Sequence, residues 1–253
     1  MGKVNSQVQI SLASFRNEIY TKDAESGPAV FGRISGYRIL AHTAGLKLLT
    51  PPRLVYNNEE RSNPHIVRDN GRLIEVVSRK IAFGFDHNSE PVAVDQTIVF
   101  NPLNYLARTL LELAHMYPTI AKMINRASIL PKELKAGMFI SVIDSGVTDI
   151  GVFVPNLGHP ELDDVWKKYN ESVLYSERNA QTMCERSAIQ KHPAIPALNI
   201  SMMVEEDVLS VGITSWTLSG EDSSRMSNIA SNIELGKPVD IKTTVSIDEA
   251  KEH

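Results

Sequence analysis

The chain lacks the residues that mark several common classes of protein. Its single cysteine, Cys184, excludes an internal disulfide and favours a reducing compartment. No apolar run approaches the roughly 20 residues that a membrane-spanning helix needs. The N-terminal stretch has no hydrophobic signal core. We therefore expect a cytoplasmic protein without a membrane partner.

Sequence signatures of catalysis are also scarce. The seven histidines are scattered and show no His-x-x-x-His spacing, so no metal site is predicted. The chain has no glycine-rich phosphate loop and no nucleophile elbow. We therefore expect neither a cofactor nor an enzyme.

Charge is distributed unevenly along a chain whose formal net charge is −4. Cations outnumber carboxylates between Arg33 and Lys80, whereas acidic residues dominate from Glu205 onward. A basic segment on an acidic chain can bind a polyanion locally, through phosphate neutralisation. The candidate DNA-binding cations are Arg38, Lys47, Arg53, Arg61, Arg72, Arg79, Lys80, Arg178 and Arg186. The aromatic residues Tyr37, Tyr56 and Phe83 could stack on bases or belong to the core.

The hydrophobic pattern predicts an α+β fold with small antiparallel sheets and hairpins. Asn70-Gly71 is a strong hairpin turn signal, and a second turn is expected at residues 86–90. Further hairpins are predicted around Ser145-Gly146 and over residues 197–218. The N-terminal strand is expected at residues 8–15.

Three shorter helices are predicted in addition to a long one over 166–192. Ser35 could cap a helix over 36–44 that ends at Gly45, and Asn101-Pro102 opens another. A second helical piece is expected between Pro118 and Ala127. The resulting division is an N-terminal segment over 1–32, an α+β core domain over 33–218 and a flexible acidic tail over 219–253.

The longest predicted helix runs from Trp166 to His192. Its apolar stripe consists of Trp166, Tyr169, Val173, Ala180, Cys184 and Ala188. Pro193 ends it, since proline lacks an N–H. Arg178 and Arg186 lie off the stripe and could contact phosphates. They could instead belong to an ordinary solvated face and pair with Glu177, Glu185 or a neighbouring strand.

One string is similar to the active-site turn of retroviral-type aspartic proteases. In VIDSGVTDI, residues 142–150, Asp144 would be the catalytic carboxylate that a dimer pairs with its copy. Val147 departs from the small residue usual in that family. The same Asp-Ser-Gly sequence is also typical of a hairpin turn.

Three pieces, in order, resemble phage RecT/Redβ-type single-strand annealing proteins. GYRILAHTAG at 36–45 resembles a Gly-Tyr-Lys/Arg-x-Leu helix of that family, and VYNNEE at 55–60 is similar to the strand and turn that follow it. The helix beginning at Trp166 is similar to one that starts at a tryptophan. The span between VYNNEE and Trp166 is longer than the family pattern.

The resemblance implies a single-stranded DNA binding and annealing protein of a phage or mobile element. It implies assembly into rings or filaments, and action without a nucleotide cofactor. The alternative is a virion or mobile-element structural protein that oligomerises through its hairpins and does not bind DNA. A dimeric aspartic protease is a minor alternative.

Overall fold

The structure is a computed structural model that describes residues 1–11, 19–24, 27–199, 202–205, 208–237, 239 and 241–249. Helices and small sheets alternate along the chain, so the predicted α+β class is confirmed. The second half of the strand predicted over 8–15 lies outside the described residues. Among those described, no helix is both long enough and apolar enough to cross a membrane.

The elements are bounded as follows. The helices are α1 (Ile34–Thr43), α2 (Pro102–Met116), α3 (Pro131–Ala136), α4 (Asp163–Leu174), α5 (Ser176–Gln190) and α6 (Gly220–Glu234). The strands are β1 (Gly2–Ser11), β2 (Ile19–Ala24), β3 (Gly27–Gly32), β4 (Lys47–Leu49), β5 (Arg53–Tyr56), β6 (Glu59–Ser62), β7 (His65–Asp69), β8 (Arg72–Phe85), β9 (Pro91–Phe100), β10 (Lys122–Asn125), β11 (Met138–Asp144), β12 (Asp149–Val154), β13 (Met203–Glu205), β14 (Val208–Thr217) and β15 (Lys242–Glu249).

The chain divides into two compact units rather than one core domain with tails. Unit 1 comprises Met1–Ile66, Val76–Val99 and Glu177–His253, and unit 2 comprises Val67–Glu75 and Phe100–Ser176. Each unit has a hydrophobic core of its own. The predicted boundaries at 33 and 219 do not coincide with these units.

Unit 1 contains two main sheets. In the first, β1 pairs antiparallel with β14, from Gly2↔Thr217 to Ser11↔Val208. Ile10 of β1 is fully buried in a core that α1 and α5 also share. The prediction of a separate N-terminal segment over 1–32 is therefore wrong for strand β1, which is part of unit 1.

The second sheet has the order β15–β9–β8–β4, with β7 paired to β8. Strand β4 pairs antiparallel with β8, whereas β15 pairs parallel with β9. Ile81 and Phe83 of β8 pack against α6. Since side chains alternate between the faces of a strand, Lys80 and Ala82 point to the opposite face.

The flexible acidic tail predicted over 219–253 is wrong where the structure describes it. Helix α6 begins at Ser219, whose hydroxyl accepts the N–H of Asp222, and it buries Met226, Ala230 and Ile233. These three residues follow helical spacing, but serine and asparagine surround them and make the periodicity hard to see. Strand β15 then adds to the edge of the sheet.

Unit 2 holds the sheet β10–β12–β11 and the helices α2 and α4. Helix α2 begins as predicted, with Asn101 accepting the N–H of Leu103 and Pro102 in the first turn. The second helical piece expected up to Ala127 is wrong. Residues 122–125 form strand β10 instead, because they pair with β12.

The long helix predicted from Trp166 to His192 is two helices separated at Tyr175. The backbone of Tyr175 leaves the helical region at φ −102° and ψ 15°. Trp166 and Tyr169 of α4 pack into the core of unit 2, whereas Ala180, Cys184 and Ala188 of α5 are buried in unit 1. The residues of one apolar stripe in the sequence therefore belong to two hydrophobic cores, one in each unit.

Candidate nucleic-acid interface

Helix α5 carries two of the predicted DNA-binding residues and packs closely on the larger sheet. The Cys184 thiol lies 3.2 Å from the carbonyl oxygen of Ser78 on β8 and 3.0 Å from that of Gln96 on β9. Burial raises the pKa of the Cys184 thiol to about 12, because a thiolate would lose its solvation there. One face of α5 is thus fixed against β8 and β9, and away from that face Arg178 is exposed whereas Arg186 is half-buried.

Arg38 of α1 is held in an ion pair with α5. Its Nε and Nη2 atoms donate to the Glu185 carboxylate at 2.6 and 2.8 Å, a bidentate arrangement. The hydrogen bond to Glu185 raises the pKa of Arg38 above its ordinary value. Because the pair is neutral as a whole, Arg38 adds little net positive charge to this surface.

Arg178 and Arg186 are in a different situation from Arg38. Neither forms an ion pair with any residue that the structure describes. Glu185 is occupied by Arg38, and Glu177 accepts the side-chain amide of Gln181 at 3.2 Å. The alternative in which these arginines pair with Glu177 or Glu185 is therefore wrong. Two cations of α5 remain available for an external anion.

Lys80 lies on the sheet face that α5 covers. Its Nζ atom donates to the Thr50 hydroxyl at 2.7 Å, and it forms no ion pair within the described residues. Lys47 of β4 is opposite Phe83 in the register and therefore points to the α6 face. Its Nζ donates to Ser227 of α6 at 3.1 Å. The two lysines thus lie on opposite faces of one sheet.

Arg79 is a structural residue of unit 1. Its guanidinium makes a bidentate pair with Asp95, with Nε–Oδ1 and Nη2–Oδ2 distances of 2.9 and 2.5 Å. Both side chains are largely buried, and hydrogen bonding to Asp95 raises the pKa of Arg79. Such a pair stays intact because removal of one partner leaves a buried charge unpaired. The Arg79 guanidinium is therefore not available to a phosphate in this structure.

The remaining predicted cations do not form one cluster. Arg61 pairs with Glu59 across two residues of β6. Arg53 is exposed on β5, and Arg72 is exposed at the first residue of β8, in the part assigned to unit 2. Of the nine candidate cations, those in unit 1 that form no ion pair with a carboxylate among the described residues are Lys47, Arg53, Lys80, Arg178 and Arg186.

The three aromatic candidates differ in exposure. Tyr37 and Phe83 are 4% and 0% exposed and belong to the hydrophobic cores, so neither can stack on a base in this structure. Tyr56 is half-buried at the end of β5, and its ring centroid lies 6.0 Å from that of His65. Tyr56 is the candidate that remains.

The Asp-Ser-Gly string forms the turn between β11 and β12. The Gly146 N–H donates to the Asp144 carboxylate at 2.8 Å, and the Ser145 N–H donates to the Thr148 carbonyl at 3.1 Å. Gly146 has φ +75°, a conformation that glycine adopts readily. The contacts within residues 144–148 are those of a hairpin turn. Among the described residues, no three His, Cys, Asp or Glu side chains cluster as a metal site would require.

Sequence reasoning missed the carboxylates that neutralise part of the basic segment. Glu185 lies 147 residues from Arg38, and Asp95 lies 16 residues from Arg79. No local pattern connects such partners, since packing of α1 on α5 and of β8 on β9 brings them together. The turn predicted at residues 86–90 was the one sequence signal that placed Arg79 and Asp95 on neighbouring strands.

Comparison with known proteins gives no relative. No family model matches the chain, and neither a curated protein nor a solved structure resembles it significantly.

Proposed function

We propose that the protein binds single-stranded DNA without marked sequence preference and promotes annealing of complementary strands. It acts as a cytoplasmic homo-oligomer of a phage or mobile element, without a nucleotide cofactor and without catalysing a chemical step. The observation that carries the proposal is that three candidate cations, Arg178 and Arg186 of α5 and Lys80 of the sheet that α5 covers, form no ion pair within the described residues. Cations that lack an internal carboxylate can pair with phosphates at little cost.

The resemblance to RecT/Redβ-type proteins supports the same function. Its first piece lies on helix α1, and its second lies at the β5–β6 turn, where Asn57 and Asn58 have positive φ. Both pieces therefore have the helix and strand-turn structure that the resemblance implies, and both are in unit 1. The third piece differs, because the helix that starts near Trp166 ends at Leu174.

The proposed mechanism is passive. Lysine and arginine side chains neutralise phosphates and release counterions, which holds the strand without reading its sequence. Among the three aromatic candidates, the half-buried Tyr56 supplies the ring that could stack on a base. Base pairing between two bound strands then provides the free energy of annealing, so no nucleotide hydrolysis is needed.

The test is binding of a fluorescently labelled single strand, measured by anisotropy over a salt series. The double variant Arg178→Ala/Arg186→Ala is compared with Lys167→Ala/Lys168→Ala, which removes two exposed cations of α4 in unit 2. We expect the α5 variant to bind more weakly and to lose about 0.7 of salt slope per lost phosphate contact. The α4 variant should bind like the parent, and both should melt at the parental temperature.

Two results would contradict the proposal. Absence of binding at low salt would remove it and favour the structural protein that lacks DNA-binding activity. If the α5 variant and the parent had equal DNA affinity and equal salt slope, Arg178 and Arg186 would not be part of the DNA-binding surface. Annealing is measured separately, as the rate at which two complementary labelled strands combine without any nucleotide. A rate equal to that of the uncatalysed reaction would refute this part.

A further inference from the structure

The three-stranded sheet of unit 2 carries two aromatic rings on one face. In the register, Lys122 of β10 lies opposite Phe153 of β12, and Phe153 lies opposite Phe139 of β11. These three side chains therefore project from the same face. The neighbouring row, which contains Val152 and Ile140, projects from the other face and packs in the hydrophobic core of unit 2. The face with the two rings is therefore the one that points away from this core.

The two rings differ in exposure. Phe153 is 1% exposed, so it forms the floor of the face. Phe139 is half-buried, and its ring lies over the backbone of Gly151, where an added Cβ atom would be 2.8 Å from the ring carbon Cζ. Because Gly151 has no side chain, the Phe139 ring can lie against the backbone of β12. Phe139 thus combines a fixed position with partial access to solvent.

Two cations flank the rings. The Lys122 Nζ atom lies 5.8 Å from the centroid of the Phe153 ring, and the Arg126 Cζ atom lies 5.9 Å from that of Phe139. Both distances are within the reach of a cation–π contact, roughly 6 Å. The Arg126 guanidinium also approaches Asp149 at 3.4 Å, yet the Arg126 side chain is 59% exposed. The position over the Phe139 ring is therefore reachable from solvent and suits a planar group.

The chain segment beside this face is basic. Between Lys122 and Lys135 it contains four cations and one carboxylate, Glu133. The Glu133 carboxylate accepts the backbone N–H of Leu130 at 3.1 Å. Within the described residues, the exposed side chains of Lys122, Lys132 and Lys135 form no ion pair. Three of the four cations therefore remain available for an external anion.

Helix α3 adjoins the rings as well as β10. Gly137 joins α3 to β11 and packs on the Phe153 ring, since an added Cβ atom there would be 2.8 Å from the ring carbon Cε2. Lys135 lies two residues before this contact. The lysines of α3 and of β10 thus border the same pair of rings.

We propose that this face of unit 2 is a second binding site for single-stranded nucleic acid. A base stacks on Phe139, and phosphates contact the lysines of β10 and α3. Phosphates fit cations that lack a carboxylate partner, and the flat face of a base fits the aromatic ring between those cations. A carboxylate-rich protein segment would pair with the lysines but would leave the ring without a partner. The combination of ring and cations therefore favours the nucleic acid.

The inference rests on the proposed function for its ligand, but it uses other residues. Arg178 and Arg186 belong to unit 1, whereas the ring and lysines of this site belong to unit 2. The two sites can therefore fail separately.

The first experiment is photo-crosslinking of the full chain to a single-stranded oligonucleotide that carries iodouracil, followed by mass spectrometry of the linked peptide. Iodouracil crosslinks to an aromatic ring on which it stacks. We expect a crosslink at Phe139, and we expect Phe139→Leu, which keeps an apolar side chain over the sheet, to abolish it. The control is Tyr175→Leu, which removes a 48% exposed ring outside this sheet and should leave the crosslink unchanged.

The second experiment measures affinity by anisotropy in the Arg178→Ala/Arg186→Ala chain, with a normal strand and with an abasic strand that has the same phosphates. Loss of one stacked base weakens binding by about 5-fold to 150-fold, so Phe139→Leu should weaken binding of the normal strand to that extent. It should leave binding of the abasic strand unchanged. Lys132→Gln/Lys135→Gln should weaken both strands and lower the salt slope by about 0.7 per lost phosphate contact.

Thermal melting identifies the variants that fold, and the two exposed lysines of α3 provide the test if Phe139→Leu does not fold. Folded variants that crosslink and bind both strands like the parent would overturn the inference. Crosslinks confined to unit 1 would also overturn it and would leave the proposed function intact. Absence of any binding at low salt would overturn both. A crosslink at Phe139 in a chain whose affinity does not depend on Arg178 and Arg186 would support this site and refute the α5 surface.

Discussion

Helix α6 provides a direct measure of how much the C-terminal part contributes to folding. Ile233 is 8% exposed and packs in the core beneath α6, whereas Leu235, two residues later, is 65% exposed. Substitution of either residue by alanine removes three carbon atoms. At about 0.8 kcal/mol per buried methylene, Ile233→Ala loses about 2.4 kcal/mol of transfer free energy. The cavity left behind raises the expected loss of unfolding free energy to about 2–4 kcal/mol.

The matched change Leu235→Ala removes a side chain that is mostly solvated already. About a third of the Leu235 side chain is buried, so about a third of the same transfer free energy is lost. The expected decrease in the free energy of unfolding is therefore less than about 1 kcal/mol. The difference between the two variants is the quantity to measure, because it cancels the effect of shortening a side chain in the unfolded state.

The assay follows urea unfolding by tryptophan fluorescence. The chain has two tryptophans, with Trp166 in unit 2 and Trp216 in unit 1. Trp216 packs beside the α6 core and donates its Nε1–H to the Asp86 carbonyl at 2.9 Å. In a Trp166→Phe background, the signal therefore reports unit 1 alone. Equal stability of Ile233→Ala and Leu235→Ala would refute the packing of α6 and restore the dispensable tail that the sequence suggested.

Two further predictions concern single residues. Burial lowers the pKa of His192. Its Nδ1 atom accepts the Ala194 N–H at 3.2 Å, and its Nε2 atom lies 3.3 Å from the Val92 carbonyl oxygen. The titratable groups that act on it electrostatically are Asp86 and His87. Folding favours the neutral form of His192, so this residue stabilises the folded protein above about pH 6.5. As the pH falls from about 6.5 to about 5.5, the free energy of unfolding should decrease by up to about 1 kcal/mol. His192→Gln should flatten that part of the urea stability profile relative to exposed His42→Gln, and equal slopes would contradict the assignment. Asp144→Asn should leave stability and DNA affinity unchanged, since asparagine supports the same turn. If the parent instead cleaves peptides at acidic pH and the Asp144→Asn variant does not, the protein is an aspartic protease.

Local signals predicted some elements well. The Asn70-Gly71 turn forms as expected, with φ of 48° and 79°, because few residues other than asparagine and glycine tolerate that conformation. Gly45 ends α1 at φ +73° for the same reason. Helix α2 follows from its Asn101 cap and its leucine spacing. In each of these three elements, the interaction that determines the structure involves residues that lie within a few positions of one another in the sequence.

Features that depend on distant residues were missed. No glycine or proline explains the end of α4 at Leu174, since the break separates a helix that packs in unit 2 from one that packs in unit 1. The cation pattern predicted a basic segment but not the loss of Arg38 and Arg79 to ion pairs. Sequence alone therefore proposed nine cations, and only the fold could distinguish those with a carboxylate partner from those without one.

The pairing of β1 with β14 has a consequence for synthesis on the ribosome. Residue 2 pairs with residue 217, so β1 leaves the ribosome about 200 residues before its partner. At about 5–20 residues per second, the N-terminal strand waits roughly 10–40 s. Unit 2 ends at Ser176 and can fold within that interval, before the last segment of unit 1 exists. A nascent chain thus carries an unpaired N-terminal strand at a time when unit 2 is already complete.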